Sequence, residues 1–229
     1  MKITSQQIQH LYKFTRQHFV EHFDVQTELV DHLANDIEEI WKKNPNISFE
    51  NARDITFKKF GVFGFMEVVE ARTAALNKKY WQLTLQTFKS FFKIPQLLIT
   101  LTIFSLIYFS LVFIPNQVIV FYTLGFGVII LLVIRLFQLQ QIKRKRFKLT
   151  GKKWLLEEYI YNFGNIGAFA YFLIQIPMFF DSNIASNTML ILVSFLFSCY
   201  LLLIYIIAFL LPKKAESLLK NQYPEYKLV

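Results

Sequence analysis

Four long apolar runs constrain this chain more than any other feature of its sequence. They cover residues 94–114, 118–137, 159–180 and 188–211. A helix rises ~1.5 Å per residue, so that a run of about 20 residues matches the ~30 Å hydrocarbon layer of a bilayer. The whole chain is 54% hydrophobic, which exceeds the usual share in soluble domains. We therefore expect an all-α membrane protein whose four spans form a transmembrane helical bundle of two hairpins.

A basic segment separates the second apolar run from the third. It holds seven cations and no acid: Lys143, Arg144, Lys145, Arg146, Lys148, Lys152 and Lys153. Connections rich in Lys and Arg stay on the cytoplasmic side of a membrane, whereas the connections 115–117 and 181–187 contain neither residue. This asymmetry predicts a multi-pass protein of a bacterial inner membrane, with a basic cytoplasmic loop at 138–158 and both termini in the cytoplasm.

The seven cations also suggest partners. Cations close to a membrane surface attract anionic headgroups, so that these side chains are candidates for contacting anionic lipid or another phosphate, and membrane lipids are expected partners. The alternative is that the same loop binds nucleic acid or the ribosome, an interpretation that rests on its charge together with Phe147 and Trp154.

The first third of the chain has a different pattern, in which apolar residues recur at helical spacing between charged ones. Thr4 or Ser5 is expected to cap the first helix, Asp24 the second and Ser48 the third. The patterns divide the chain into a cytoplasmic helical domain at 1–77, an interfacial connecting helix at 78–93, the four-span domain at 94–211 and a cytoplasmic tail at 212–229.

Three short motifs of this first third match a known type of domain. They are Glu28-Leu29-Val30-Asp31-His32-Leu33, Ser48-Phe49-Glu50-Asn51-Ala52-Arg53 and Phe60-Gly61. In this order they resemble the permease-prefix or HAAS-type helical domain, which reads E-L-x-D-H-L, then S-x-E-E-A-R, then F-G. The family usually continues with Asp-Pro, whereas Val62-Phe63 follows here, so that the turn before the fourth helix is expected to differ.

The resemblance implies a cytoplasmic interaction or signalling module joined to membrane segments, of a kind often linked to PadR-type regulators or to transport machinery. It brings no catalytic residue with it. Glu28, Asp31 and His32 are therefore candidates for binding a partner or for packing helices together, and in this family reading Asp31 and His32 hold helix ends by hydrogen bonds.

The third apolar run is the most polar of the four. Its candidates for helix packing are Asn162, Gly164, Asn165, Gly167 and Gln175, because small residues let helices approach closely and amides hydrogen-bond across helices in lipid. A ligand or lipid pocket at Asn165 and Gln175 is the alternative. No Asp, Glu, His or Lys lies deep within a predicted span, which argues against a proton-coupled pump.

The sequence contains no catalytic constellation. His18 and His22 share a helix face, but no recognised metal motif accompanies them, and we expect neither a metal nor a cofactor. We expect a non-enzymatic accessory, regulatory or scaffolding subunit of a membrane complex, acting through its helical domain on another membrane protein or within a homo-oligomer. The alternatives are a small oligomeric transporter or lipid-handling protein, and a translocon- or ribosome-associated factor that uses the basic loop.

Overall fold

The computed structural model describes residues 2–161, 171, 175, 186–223 and 226. These residues are helical or irregular and contain no strand beyond a single isolated bridge, which confirms the all-α class. The chain divides into two compact units. The first comprises Met1–Lys78 together with Thr150–Glu158, and the second comprises Lys79–Leu149 together with Tyr159–Val229.

The helices follow one another with short connections. In chain order they are α1 (Ser5–Gln17), α2 (Phe23–Lys43), α3 (Phe49–Lys58), α4 (Met66–Ser90), α5 (Leu97–Phe113), α6 (Gln117–Thr150), α7 (Leu155–Tyr161), α8 (Asn187–Tyr205), a π-helical turn (Ile206–Leu210) and α9 (Leu211–Gln222).

Side-chain caps fix the starts of two helices in the first unit. Thr4 caps α1 in a capping box, because its hydroxyl accepts from the Gln7 amide at 3.3 Å and the Gln7 side chain accepts from the Thr4 amide at 2.8 Å. The Ser48 hydroxyl accepts from the Asn51 amide at 3.3 Å and caps α3. Both caps confirm the sequence prediction. The prediction for α2 was wrong: the helix begins at Phe23 with His22 as N-cap, and Asp24 lies inside its first turn.

The core of the first unit is built around α2. Leu29, Leu33 and Ile37 are fully buried along one face of this helix, at the spacing that an amphipathic helix requires. Leu11 and Phe14 of α1 and Ala52 of α3 pack into the same cluster. Leu155, which is far away in the sequence, also belongs to this core.

The second unit contains the apolar helices. Two segments are long and apolar enough to cross a membrane, namely α6 and the continuous helical segment Asn187–Asn221, while α5 is apolar but shorter. The helix α5 packs against α8, and the Phe121 ring of α6 meets the Phe197 ring of α8 edge-on at 5.4 Å. The predicted third span at 159–180 lies almost entirely outside the described residues.

The basic segment differs from the expected loop. The helix α6 continues through Lys143 and Arg146 as far as Thr150, so that only the part beyond Gly151 leaves the helical path. The reason is visible in the sequence, because no Gly or Pro interrupts residues 128–150 and Lys, Arg, Gln and Leu are all good helix formers.

Candidate functional site

The site of greatest interest is a connection that has become part of the helical unit. Thr150–Glu158, which we call the docked segment, lies between α6 and the end of the first unit and packs with the N-terminal helices. It begins with a left-handed turn at Gly151, where φ is +63°, a conformation that favours glycine. The Phe23 amide then donates to the Lys153 carbonyl at 2.7 Å, and His22 and Lys153 form a parallel bridge.

The carboxylate of Asp24 binds the start of α7. It accepts from the Leu155 amide at 3.0 Å and from the Leu156 amide at 3.4 Å. The first amides of a helix have no partner within the helix, so that Asp24 performs for α7 the capping role that we expected it to perform for α2. This bond joins residues more than 130 positions apart and fixes where α7 starts.

Apolar contacts surround these hydrogen bonds. The Trp154 indole is buried, and its ring meets the Phe23 ring edge-on at 5.3 Å. Leu155 is 7% exposed and completes the core of the first unit. Burying a leucine side chain contributes about 1.5–3 kcal/mol, so that these two side chains account for more of the docking energy than the charged groups do. The Lys152 ammonium covers the Phe23 ring, 3.6 Å from its centroid.

Two ion pairs lie at the edge of the docked segment. The Lys153 ammonium is 2.5 Å from a Glu21 carboxylate oxygen, and His22 Nε2 is 3.2 Å from a Glu158 carboxylate oxygen. The hydrogen bond from Lys153 lowers the pKa of the Glu21 carboxyl, and the same bond raises the pKa of the Lys153 ammonium. Exposed pairs of this kind contribute little to stability, but they fix the register of the segment along α2.

The predicted phosphate-binding cations do not form one surface. Lys152 and Lys153 are engaged in the docked segment, as described above. Arg146 is buried in the second unit: its guanidinium donates to the Tyr226 hydroxyl, lies 4.1 Å from the centroid of that ring, and is 3.9 Å from a Glu216 carboxylate oxygen. The remaining cations lie on α6, where Lys143 is half-buried and three are exposed: Arg144, Lys145 and Lys148.

The other predicted candidates have separate surroundings. Glu28 pairs with Arg72 and thereby joins α2 to α4, while Asp31 and His32 are exposed on α2. Gln175 is helical and half-buried. The other four candidates of the third apolar run lie outside the described residues: Asn162, Gly164, Asn165 and Gly167. Their packing role stays a prediction.

The two histidines that we considered for zinc have different partners. His18 Nδ1 is 2.8 Å from the Phe14 carbonyl oxygen, while His22 faces Glu158. The described part of the chain contains no cluster of three or more His, Cys, Asp or Glu side chains that could hold a metal ion.

Comparison of the chain with protein-family models, with curated proteins and with solved structures found no match in any of the three. The resemblance to the permease-prefix or HAAS-type domain therefore stays a prediction.

Proposed function

We propose that this protein is a non-enzymatic accessory or regulatory subunit of a membrane complex, in which the helical unit controls the connection between two pairs of membrane spans. The partner is another membrane protein or a second copy of the chain. The observation that carries this proposal is the docking of Thr150–Glu158 onto α2, where Asp24, Phe23 and the core leucines receive it.

The docking supports coupling between the helical unit and the membrane segments. The docked segment follows α6 directly, so that a partner that binds the helical unit and changes its grip on the segment also changes the restraint on α6. A ligand shifts such an equilibrium only by its difference in affinity for the two states. Undocking exposes Trp154 and Leu155, which gives a partner an apolar surface that distinguishes the two states.

The docking also bears on topology. Residues 1–78 and 150–158 belong to one compact unit, so that the chain between them returns to the side of the membrane on which it started. An even number of crossings lies between residues 78 and 150, as in the hairpin predicted at 94–137. Together with the cations this supports our proposal of four spans in a bacterial inner membrane, with the helical unit and both termini in the cytoplasm.

The proposal is tested by comparing the assembly state of the full chain with that of an undocked variant. We expect the wild-type protein, extracted from its membrane into nanodiscs, to carry a partner or a second copy at fixed stoichiometry by native mass spectrometry. The variant Asp24→Ala/Leu155→Ser should lose that partner, because it removes the carboxylate that caps α7 and a core side chain.

The control is Leu149→Ser, which changes the same residue type six positions earlier, where the side chain is exposed. It should retain the partner. A strictly monomeric wild-type protein would count against an accessory subunit, and a partner that stays bound to the undocked variant would refute coupling through the docked segment.

A further inference from the structure

A second surface of the first unit has properties that the docked segment does not explain. Four apolar side chains project from two turns at one end of this unit: Phe19, Val62, Phe63 and Met66. We call them the apolar tip. Val62 is 98% exposed, Phe19 86% and Phe63 68%. Single exposed apolar residues are ordinary on protein surfaces, whereas a group of large ones in one place marks an interaction site.

Both turns rest on the same aromatic side chain. The His18 ring, next to Phe19, lies 4.4 Å from the Phe57 ring. On the other side a Cβ atom at Gly64 would lie 3.1 Å from the same Phe57 ring, so that the second turn is in close contact with it. Phe57 thus brings the two exposed apolar turns to one end of the unit.

The backbone of both turns is built to project these side chains. Gly61 and Gly64 have φ values of +76° and +55°, and the Gly64 amide donates to the Gly61 carbonyl at 3.3 Å. Phe19 has φ of +65°, which is rare for a bulky residue. A strained backbone that holds a phenylalanine in solvent gives the fold nothing, and such strain is concentrated at functional positions.

The charges beside the apolar tip are mainly positive. Arg16 and Lys58 are exposed, each only three residues from the tip along its own turn, and Lys59 pairs with Asp36 at 2.8 Å. Glu67, in the first turn of α4, is the acid that follows the tip. Two copies of this surface would place like cations against each other, which disfavours self-association. A protruding apolar tip with flanking cations matches the boundary between acyl chains and anionic headgroups.

We propose that the apolar tip inserts into the headgroup region of an anionic lipid bilayer. Phe19, Val62 and Phe63 enter the boundary with the acyl chains, while Arg16 and Lys58 contact lipid phosphates. This surface is separate from the docked segment, so that the proposal stands or fails independently of the proposed function.

The test uses the full chain in nanodiscs, with Cys199→Ser to remove the natural thiol and an environment-sensitive NBD fluorophore on the cysteine of Val62→Cys. The matched control carries the fluorophore at Asn46→Cys, an exposed position in the turn between α2 and α3. With anionic lipid present, we expect a blue shift at position 62 and a loss of its emission when the lipids carry a doxyl quencher. Neither change should occur at position 46.

Two further variants examine the charges. Lys58→Glu should reduce the quenching at position 62 several-fold, whereas Lys43→Glu, at an exposed lysine near the end of α2, should leave it unchanged. A second readout needs no fluorophore and applies even if Cys199→Ser perturbs the fold: in the wild-type protein, hydrogen exchange at the amides of Val62 and Phe63 should slow when anionic lipid is added.

Three outcomes would overturn the proposal. Position 62 responds like position 46, and lipid does not slow exchange at the tip. The blue shift is equally large with zwitterionic lipid, which removes the role of the cations. Alternatively, emission at position 62 changes with protein concentration instead of lipid composition, which identifies a second copy of the chain as the occupant.

Discussion

The substitution Leu155→Ala should release the docked segment from the helical unit. Leu155 is 7% exposed and lies in the core with Leu29 and Leu33. Replacing a buried leucine by alanine costs about 2–5 kcal/mol, depending on how far the surroundings collapse. Leu155 lies in a short segment that can shift toward the gap, so that we expect the lower end of this range, about 2 kcal/mol. A change of this size raises the population of the undocked state about 30-fold.

Hydrogen exchange in nanodiscs measures this population. The Phe23 amide donates to the Lys153 carbonyl and the Leu155 amide donates to Asp24, so that both amides exchange when the segment leaves. Their exchange should accelerate about 30-fold in the variant under conditions where opening is an equilibrium. Amides in the middle of α3 should change much less, because their bonds lie within that helix.

Leu149→Ala is the control for this experiment. Leu149 is 75% exposed, and substitutions at such positions usually change stability by less than about 0.5 kcal/mol. If Leu155→Ala were as silent as Leu149→Ala, the docked segment would not be held by its apolar contacts, and the coupling that we propose would lose its basis.

Three more predictions concern single contacts. Docking should be strongest at intermediate pH: the contribution of Glu21, whose pKa is lowered, is lost as the pH falls through that pKa, and that of Lys153, whose pKa is raised, is lost as the pH rises through it. Exchange of the segment as a function of pH measures both limbs. Gly64→Ala should destabilise the first unit more than Gly61→Ala, because both have positive φ but only Gly64 lacks space for a Cβ atom; thermal unfolding measures the difference. Tyr226→Phe should destabilise its contact by about 1 kcal/mol, since it removes one hydrogen-bond acceptor and retains the ring, and limited proteolysis at the C-terminal end measures it.

Each of these predictions has a result that would contradict it. Glu21→Gln should abolish the acid limb of the pH profile, and a limb that persists would assign it to another group. Equal melting temperatures for the two glycine variants would show that the Phe57 ring moves aside freely. Unchanged proteolysis of Tyr226→Phe would mean that the ring contact with Arg146 holds the tail without the hydroxyl.

Local signals predicted the parts of the fold that depend on neighbouring residues. The caps at Thr4 and Ser48 and the buried face of α2 follow from short patterns, because a cap and the amide that it accepts from are only three residues apart. The continuation of α6 to Thr150 was missed for a different reason. Charge indicated correctly that residues 143–153 are unsuited to hydrocarbon, but charge does not distinguish a loop from a helix that extends into water.

The docked segment could not be predicted from the sequence. Asp24 looked like the cap of its own helix, and nothing near it in the sequence indicates that its carboxylate accepts from amides at positions 155 and 156. The apolar pair Trp154-Leu155 directly after the last cations was the available signal, and we considered Trp154 only as a partner for nucleic acid. Likewise, the exposure of Val62 and Phe63 depends on Phe57 beneath them and is invisible in a run of apolar letters.

The position of Leu155 has a consequence for how the protein is made. Ribosomes synthesise the N-terminal helices first, yet their core is finished only after about seventy further residues, including two apolar helices, have been added. A nascent chain therefore exposes an incomplete apolar surface while its membrane helices are being inserted. For the same reason, anyone who expresses residues 1–78 alone should attach residues 150–158 through a flexible linker to obtain the complete unit.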